Sequence, residues 1–137
     1  MMEEELERRA ALVTATIEKL LPVMHPRGLY EASRHLVDSG GKRLRPSMLL
    51  LAAQAAGGEA QALALAPAAV SIELVHNFTL IHDDIMDNAD VRRGRPAVHK
   101  IWGQSGAILA GDTLYSKAFQ VLGMTAASPE RILAAMN

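Results

Sequence analysis

Pro67–Asp87, PAAVSIELVHNFTLIHDDIMD, is the stretch that decides the fold. Read as one helix it rises roughly 30 Å at 1.5 Å per residue, enough to cross a whole domain. Ile72, Leu74, Val75, Phe78, Leu80, Ile81 and Ile85 make it apolar nearly all round, the pattern of a core helix. His76, Thr79 and Asp83 interrupt that pattern at helical spacing and draw one polar stripe along it. Burying such a stripe is costly unless it faces a wet cavity or a ligand.

Outward from this helix the chain keeps the same character. Residues 2–21 place Leu6, Leu12 or Val13, Ile17 and Leu20 or Leu21 at helical spacing between a charged first turn and Pro22. A short helix fits Leu29–Val37, ended by Asp38-Ser39-Gly40-Gly41. The basic run Lys42-Arg43-Leu44-Arg45 precedes Pro46, a good first residue for a helix through Ala56, and Gly57-Gly58 breaks the pattern. Asn88–Pro96 is polar and punctuated by Gly and Pro, which predicts an exposed loop. A helix over Gly106–Leu122 follows, and Ser128-Pro129-Glu130 reads as cap, first-turn proline and acidic first turn of a last one.

Composition agrees and excludes several classes. Of 137 residues 50% are apolar, 4% aromatic and 21% charged, with Ala and Leu prominent, so residues 1–137 should form one all-α domain. A formal net charge of -1 leaves no overall basic field for nucleic acid or an anionic bilayer, so any anion site is local. The absence of cysteine excludes disulfides, thiolate zinc sites and thiol catalysis, and fits a cytoplasmic setting. Met1-Met2-Glu3-Glu4-Glu5 is the opposite of a secretory signal. Ser47–Ile72 carries only Glu59 as a charge, but Gly57-Gly58 and Pro67 divide it into two core helices instead of a membrane span.

The chemistry gathers in Asp83, Asp84, Asp87 and Asp90. On a helix Asp83 and Asp87 share a face one turn apart, while Asp84 is rotated by about 100°. The pair repels unless a cation sits there, and Mg²⁺, which takes one or two carboxylates plus phosphate oxygens and water, is the natural remedy. A solvated acidic helix end is the plainer reading of an isolated cluster. Two basic groups, Lys42/Arg43/Arg45 and Arg92/Arg93/Arg95, flank the acids in sequence. Guanidinium forks grip phosphate oxygens that metal ions bridge to carboxylates, so acids and bases would serve one anion.

Four motifs then become recognisable: Gly40-Gly41-Lys42-Arg43-Leu44-Arg45-Pro46, Ile72-Glu73-Leu74-Val75-His76, Asp83-Asp84-Ile85-Met86-Asp87, and Arg92-Arg93-Gly94-Arg95-Pro96-Ala97-Val98-His99. In order and approximate spacing they resemble the N-terminal half of trans-isoprenyl diphosphate synthases, the polyprenyl synthetase family, over nearly the entire chain. The resemblance is greatest to synthases of geranylgeranyl and farnesyl diphosphate. It implies an antiparallel all-α helix bundle of the isoprenoid synthase type, of which this chain supplies the N-terminal half. It implies a Mg²⁺-dependent prenyltransferase that condenses isopentenyl diphosphate with an allylic diphosphate. By motif position Asp83 and Asp87 hold the metal, with Asp84 a secondary catalytic contributor. Arg92 contacts the allylic diphosphate, and Lys42, Arg45, His76 and Arg93 bind isopentenyl diphosphate.

The resemblance also bears on product length. Phe78 lies five residues before Asp83, about 7.5 Å along the axis by the standard rise, where bulk would stop a growing chain. An aromatic there, beside a small residue such as Thr79, goes in similar synthases with geranylgeranyl-length products; as plain core packing Phe78 needs no such role. Synthases of this family carry a second Asp-rich motif that nothing after Asp112 supplies, so a truncated or split chain, or a homodimer in which Asp83 and Asp87 of two copies face each other, is expected. A non-catalytic prenyl-diphosphate-binding subunit needing a partner is a second reading. An HD-type metal phosphohydrolase using His82, Asp83, His35 and Asp112 is a third, and it leaves the basic clusters unexplained.

Overall fold

A computed structural model describes residues 1–137. Six helices and one short hairpin follow in the order α1 (Met2–Leu20), α2 (Arg27–Asp38), α3 (Leu44–Ala64), α4 (Ala66–Met86), β1 (Val91–Arg92), β2 (Arg95–Pro96), α5 (Val98–Leu122) and α6 (Pro129–Met136). The chain is all-α as its composition requires. It forms two compact units, Met1–Leu20 with Lys42–Glu73 and Ala118–Asn137, and Leu21–Gly41 with Leu74–Lys117.

In the first unit α1 packs on α3. Val13 and Ile17 from α1, Leu50 and Ala62 from α3, Ala69 and Val70 from α4 and Val121 from α5 are buried and make the core. Each large aliphatic side chain buried this way contributes about 1.5–3 kcal/mol relative to exposure. Arg9 is only 1% exposed and is satisfied by Glu5 (2.8 Å) and by both carboxylate oxygens of Glu59. Glu59 stands at the start of the helical segment that follows the Gly58 kink within α3. Gly58 alone leaves helical geometry (φ 82°, ψ −178°) and the chain resumes helical bonding at once. A residue without Cβ takes those angles at little steric cost, so the break expected at Gly57-Gly58 is present as a kink between two helical segments. Ser128 caps α6 by accepting a bond from the Arg131 amide at 3.4 Å, ahead of Pro129 and Glu130. A groove of about 300 Å³ is lined mainly by small and apolar residues, including Leu65, Ala68, Leu122 and Ile132.

In the second unit Leu36 and Val37 from α2, Leu74 and Ile81 from α4, and Val98, Ala107, Ala110 and Leu114 from α5 are buried. Arg34 ties the unit together, donating to the Leu21 carbonyl (2.7 Å) and to Asp38 (2.7 Å). The loop expected over Asn88–Pro96 contains a tight hairpin, with Val91 opposite Pro96 and Arg92 opposite Arg95. Its turn residues Arg93 and Gly94 have φ of 52° and 74°, the sign that a two-residue type I′ turn requires. Strands of two residues leave no periodicity in a sequence. α5 opens with a short helical segment from Val98 that ends in a kink at Gly103 (φ 74°, ψ 168°), and the helix expected over Gly106–Leu122 lies in the segment after it.

No single helix is long and apolar enough to cross a membrane; α3 and α4 pass such a test only as a pair bent by 85°. Large apolar side chains do remain exposed along α5, among them Ile101, Leu109, Tyr115 and Phe119.

Candidate active site

Helix α4 presents different chemistry on two faces. Asn77, Ile81 and Asp84, at 0%, 1% and 2% exposure, point inward, whereas Thr79, Asp83 and Asp87 are exposed and His76 is partly so. The stripe of His76, Thr79 and Asp83 therefore runs along the outer face instead of through buried surroundings, and Ile72 (39% exposed) and Met86 (74%) are also open to solvent. The buried polar line is a different one: Glu73, Asn77 and Asp84. The backbone bond from the Asp87 amide to the Asp83 carbonyl (2.8 Å) carries the helical turn through to Asp87. Both outer carboxylates thus stand on one face, one turn apart.

Asp84 faces the hairpin. Its Oδ1 accepts from Arg92 Nε (3.0 Å) and Nη2 (2.6 Å), a forked ion pair with an almost fully buried carboxylate. Such forks fix the orientation of both planar groups. The hydrogen bond to Asp84 holds the Arg92 guanidinium above its ordinary pKa, and the charges of Asp84, Asp83 and Asp87 add to it against desolvation. Arg92 therefore lies in the field of all three motif carboxylates.

Arg93 turns to the other side of the hairpin. Its Nη1 donates to the carbonyls of Leu36 (3.2 Å) and Gly40 and to Asn77 Oδ1 (3.4 Å). A Cβ on Gly41, whose φ is +122°, would sit 3.1 Å from the Arg93 guanidinium carbon. The double glycine thus makes room for this arginine as well as ending α2. Asp90 is held below the usual carboxylate range by its bond to Lys100 (2.7 Å), with a smaller contribution from His99.

Phe78 meets the His82 ring edge-on at 4.7 Å and Tyr115 in a tilted contact at 5.1 Å. His82 Nε2 lies 3.2 Å from the Ile108 carbonyl and 3.8 Å from Asp112 Oδ1, the latter too long for a hydrogen bond. Thr79 bonds its own helix through the His76 carbonyl (2.8 Å). Tyr115 and Trp102, isolated in sequence, gain ring partners here; Trp102 stands edge-on to His35 at 5.2 Å. His35 is occupied by the Pro96 carbonyl (2.9 Å) and Arg95 (3.1 Å). No three His, Asp or Glu side chains converge as a ready-made metal site.

The basic run lies in the first unit. Lys42 and Arg45 are exposed, while Arg43 between them is 6% exposed and pairs with buried Glu73 at 2.6 Å. Arg43 adopts left-handed backbone angles (φ 48°, ψ 33°) at the N-cap of α3. Spacing alone did not reveal that it points inward. Glu73 and Asn77 could have been found from the sequence, because they share helical register with Val70, Leu74 and Ile81 on the apolar face.

For a hard divalent cation the donor set fits in kind. Asp83 and Asp87 offer exposed oxygens from adjacent turns, the one or two carboxylates that Mg²⁺ takes when phosphate and water complete its shell. They do not amount to a closed protein cage.

The all-α scaffold that carries these two open carboxylates and the clamped arginine matches solved isoprenoid synthases, which gives the class: a helical protein of that fold. The polyprenyl synthetase family matches residues 26–137, and the chain belongs to that family. It is 59% identical over 98% of its length to a geranylgeranyl diphosphate synthase of Methanosarcina mazei, and 46% identical over 99% to a geranylfarnesyl diphosphate synthase of Natronomonas pharaonis. It superposes on the geranylgeranyl pyrophosphate synthetase of Geoglobus acetivorans with a TM-score of 0.91 and 52% identity, over 95% of this chain and 42% of that one. The chain spans about two-fifths of the curated relatives it matches, 41% and 44% for the two synthases.

Proposed function

We propose that this chain carries the allylic half of a trans-prenyltransferase site, which lengthens an allylic diphosphate by isopentenyl diphosphate and yields geranylgeranyl diphosphate. The observation that carries the reading is the pairing of exposed Asp83 and Asp87 with Arg92, itself held by buried Asp84. Asp83 and Asp87 would hold Mg²⁺, which when bound offsets negative charge on the departing diphosphate. Asp84 keeps the Arg92 fork oriented, and Arg92 grips phosphate oxygens directly. Lys42, Arg45, His76 and Arg93 are assigned to the diphosphate of the second substrate. The chemistry needs no protein nucleophile, since bond breaking is driven by stabilising the leaving group. Phe78, backed by His82 and Tyr115, is assigned to the end of the hydrocarbon channel, with Thr79 beside it.

Two open carboxylates leave most of a metal shell to substrate, water and further protein oxygens, which a C-terminal half, a second copy or a partner chain would bring. The names of the M. mazei and G. acetivorans synthases favour the twenty-carbon product, and that of N. pharaonis the next longer one. Incubation with Mg²⁺, labelled isopentenyl diphosphate and allylic primers tests the reading. Labelled geranylgeranyl diphosphate, lost on chelation, is expected. Binding of both diphosphates without turnover, with turnover appearing only when a catalytic partner is added, would favour the non-catalytic subunit instead.

A further inference from the structure

We infer that the buried Arg43–Glu73 ion pair is a positioning clamp that aims Lys42 and Arg45 at a diphosphate. The inference rests on the proposed assignment of those two cations to isopentenyl diphosphate. Three basic residues crowd the N-terminus of α3, where the helix dipole is already positive and the first turn contains no acidic residue. Such crowding is unfavourable for the free helix. The middle cation is taken out of it: Arg43 adopts left-handed angles, which strain any residue with a Cβ, and its guanidinium enters the core against Glu73 at 2.6 Å. Both side chains are almost wholly buried, at 4% and 3% exposure.

A pair of this kind adds little to stability over apolar side chains of similar volume, because desolvation offsets its attraction. What it supplies is geometry. With Arg43 fixed inward, its neighbours Lys42 and Arg45 remain exposed on either side of the turn, and the Ser47 amide bond to the Arg43 carbonyl (3.0 Å) joins the turn to the helix. On this inference Lys42, Arg45 and the N-terminus of α3 would act together on one anion, with their ordering preceding ligand arrival.

The test compares wild type with the double variant Arg43→Met/Glu73→Met, in which the charges go but the volume stays. Thermal unfolding is followed by circular dichroism. Calorimetric titrations use isopentenyl diphosphate without metal, and an unreactive thio-analogue of an allylic diphosphate with Mg²⁺. The expected result is a melting temperature within a few degrees of wild type, at least tenfold weaker metal-free binding of isopentenyl diphosphate, and analogue affinity within twofold. Glu73→Gln, which keeps the shape and removes the charge, gives the same split should the double variant not fold. Unchanged isopentenyl diphosphate affinity in folded variants, or equal loss of both ligands, overturns the clamp while leaving the functional reading standing. Wild type that binds neither ligand overturns the functional reading and the clamp with it.

Discussion

Asp83 is open to solvent, whereas Asp84, one residue on and about 100° further round the helix, is 2% exposed beneath the Arg92 fork, so substitution should affect them differently. Asp83→Ala removes an exposed group. It should leave the melting temperature within about 2 °C, since surface changes stay near ±0.5 kcal/mol, while turnover falls by about a hundredfold or more. Equal loss of fold and activity would contradict the ligand role. Asp84→Ala takes the partner from a guanidinium and should cost about 1–3 kcal/mol, read as a lower melting temperature together with lost activity. Phe78→Ala, opening space between His82 and Tyr115, should lengthen the prenyl products seen by chromatography, and an unchanged product range would return Phe78 to plain packing.

The helices were legible in the sequence where their ends carry chemistry. Pro22 stops α1 at Leu20, and Ser128-Pro129 starts α6. The break expected at Gly57-Gly58 is there as a kink at Gly58; less legible were the helical segments just beyond it and just ahead of the Gly103 kink, and the hairpin's two-residue strands have no period to read. Of the candidate site, Asp83 and Asp87 followed from spacing; the inward turns of Asp84 and Arg43 needed the fold, because a charged residue gives no sign of which partner awaits it. Packing between α4 and α5 in the second unit makes its own demand at Gly111, where a Cβ would fall 2.3 Å from His82 Nε2. Gly111→Ala should therefore push His82 off the Ile108 carbonyl and away from Phe78, lowering stability by about 1–3 kcal/mol as overpacking does. A melting temperature unchanged from wild type would show that His82 yields freely.

At the scale of the whole molecule, charge pairing sets the response to acid. Glu5, held mainly by Arg8, and Glu59, held mainly by Arg9, lie below their usual value of 4.5, and Asp90, held by Lys100, lies below 3.8. A depressed native pKa means the unfolded chain takes up protons first. The stabilisation is complete above the unfolded values and is lost as pH falls through the native ones, so the melting temperature should drop from about pH 4.5 downward. A melting temperature that stays level or rises on acidification would contradict these pairs. The central claim, that Asp83 and Asp87 hold a divalent cation against a diphosphate, is tested most directly by diffraction from crystals grown with Mn²⁺ and an unreactive thio-analogue of an allylic diphosphate. The account expects an anomalous peak about 2.0–2.2 Å from carboxylate oxygens of both residues, and shared with diphosphate oxygens. A metal and analogue bound elsewhere, with Asp83 and Asp87 facing only water, would contradict it.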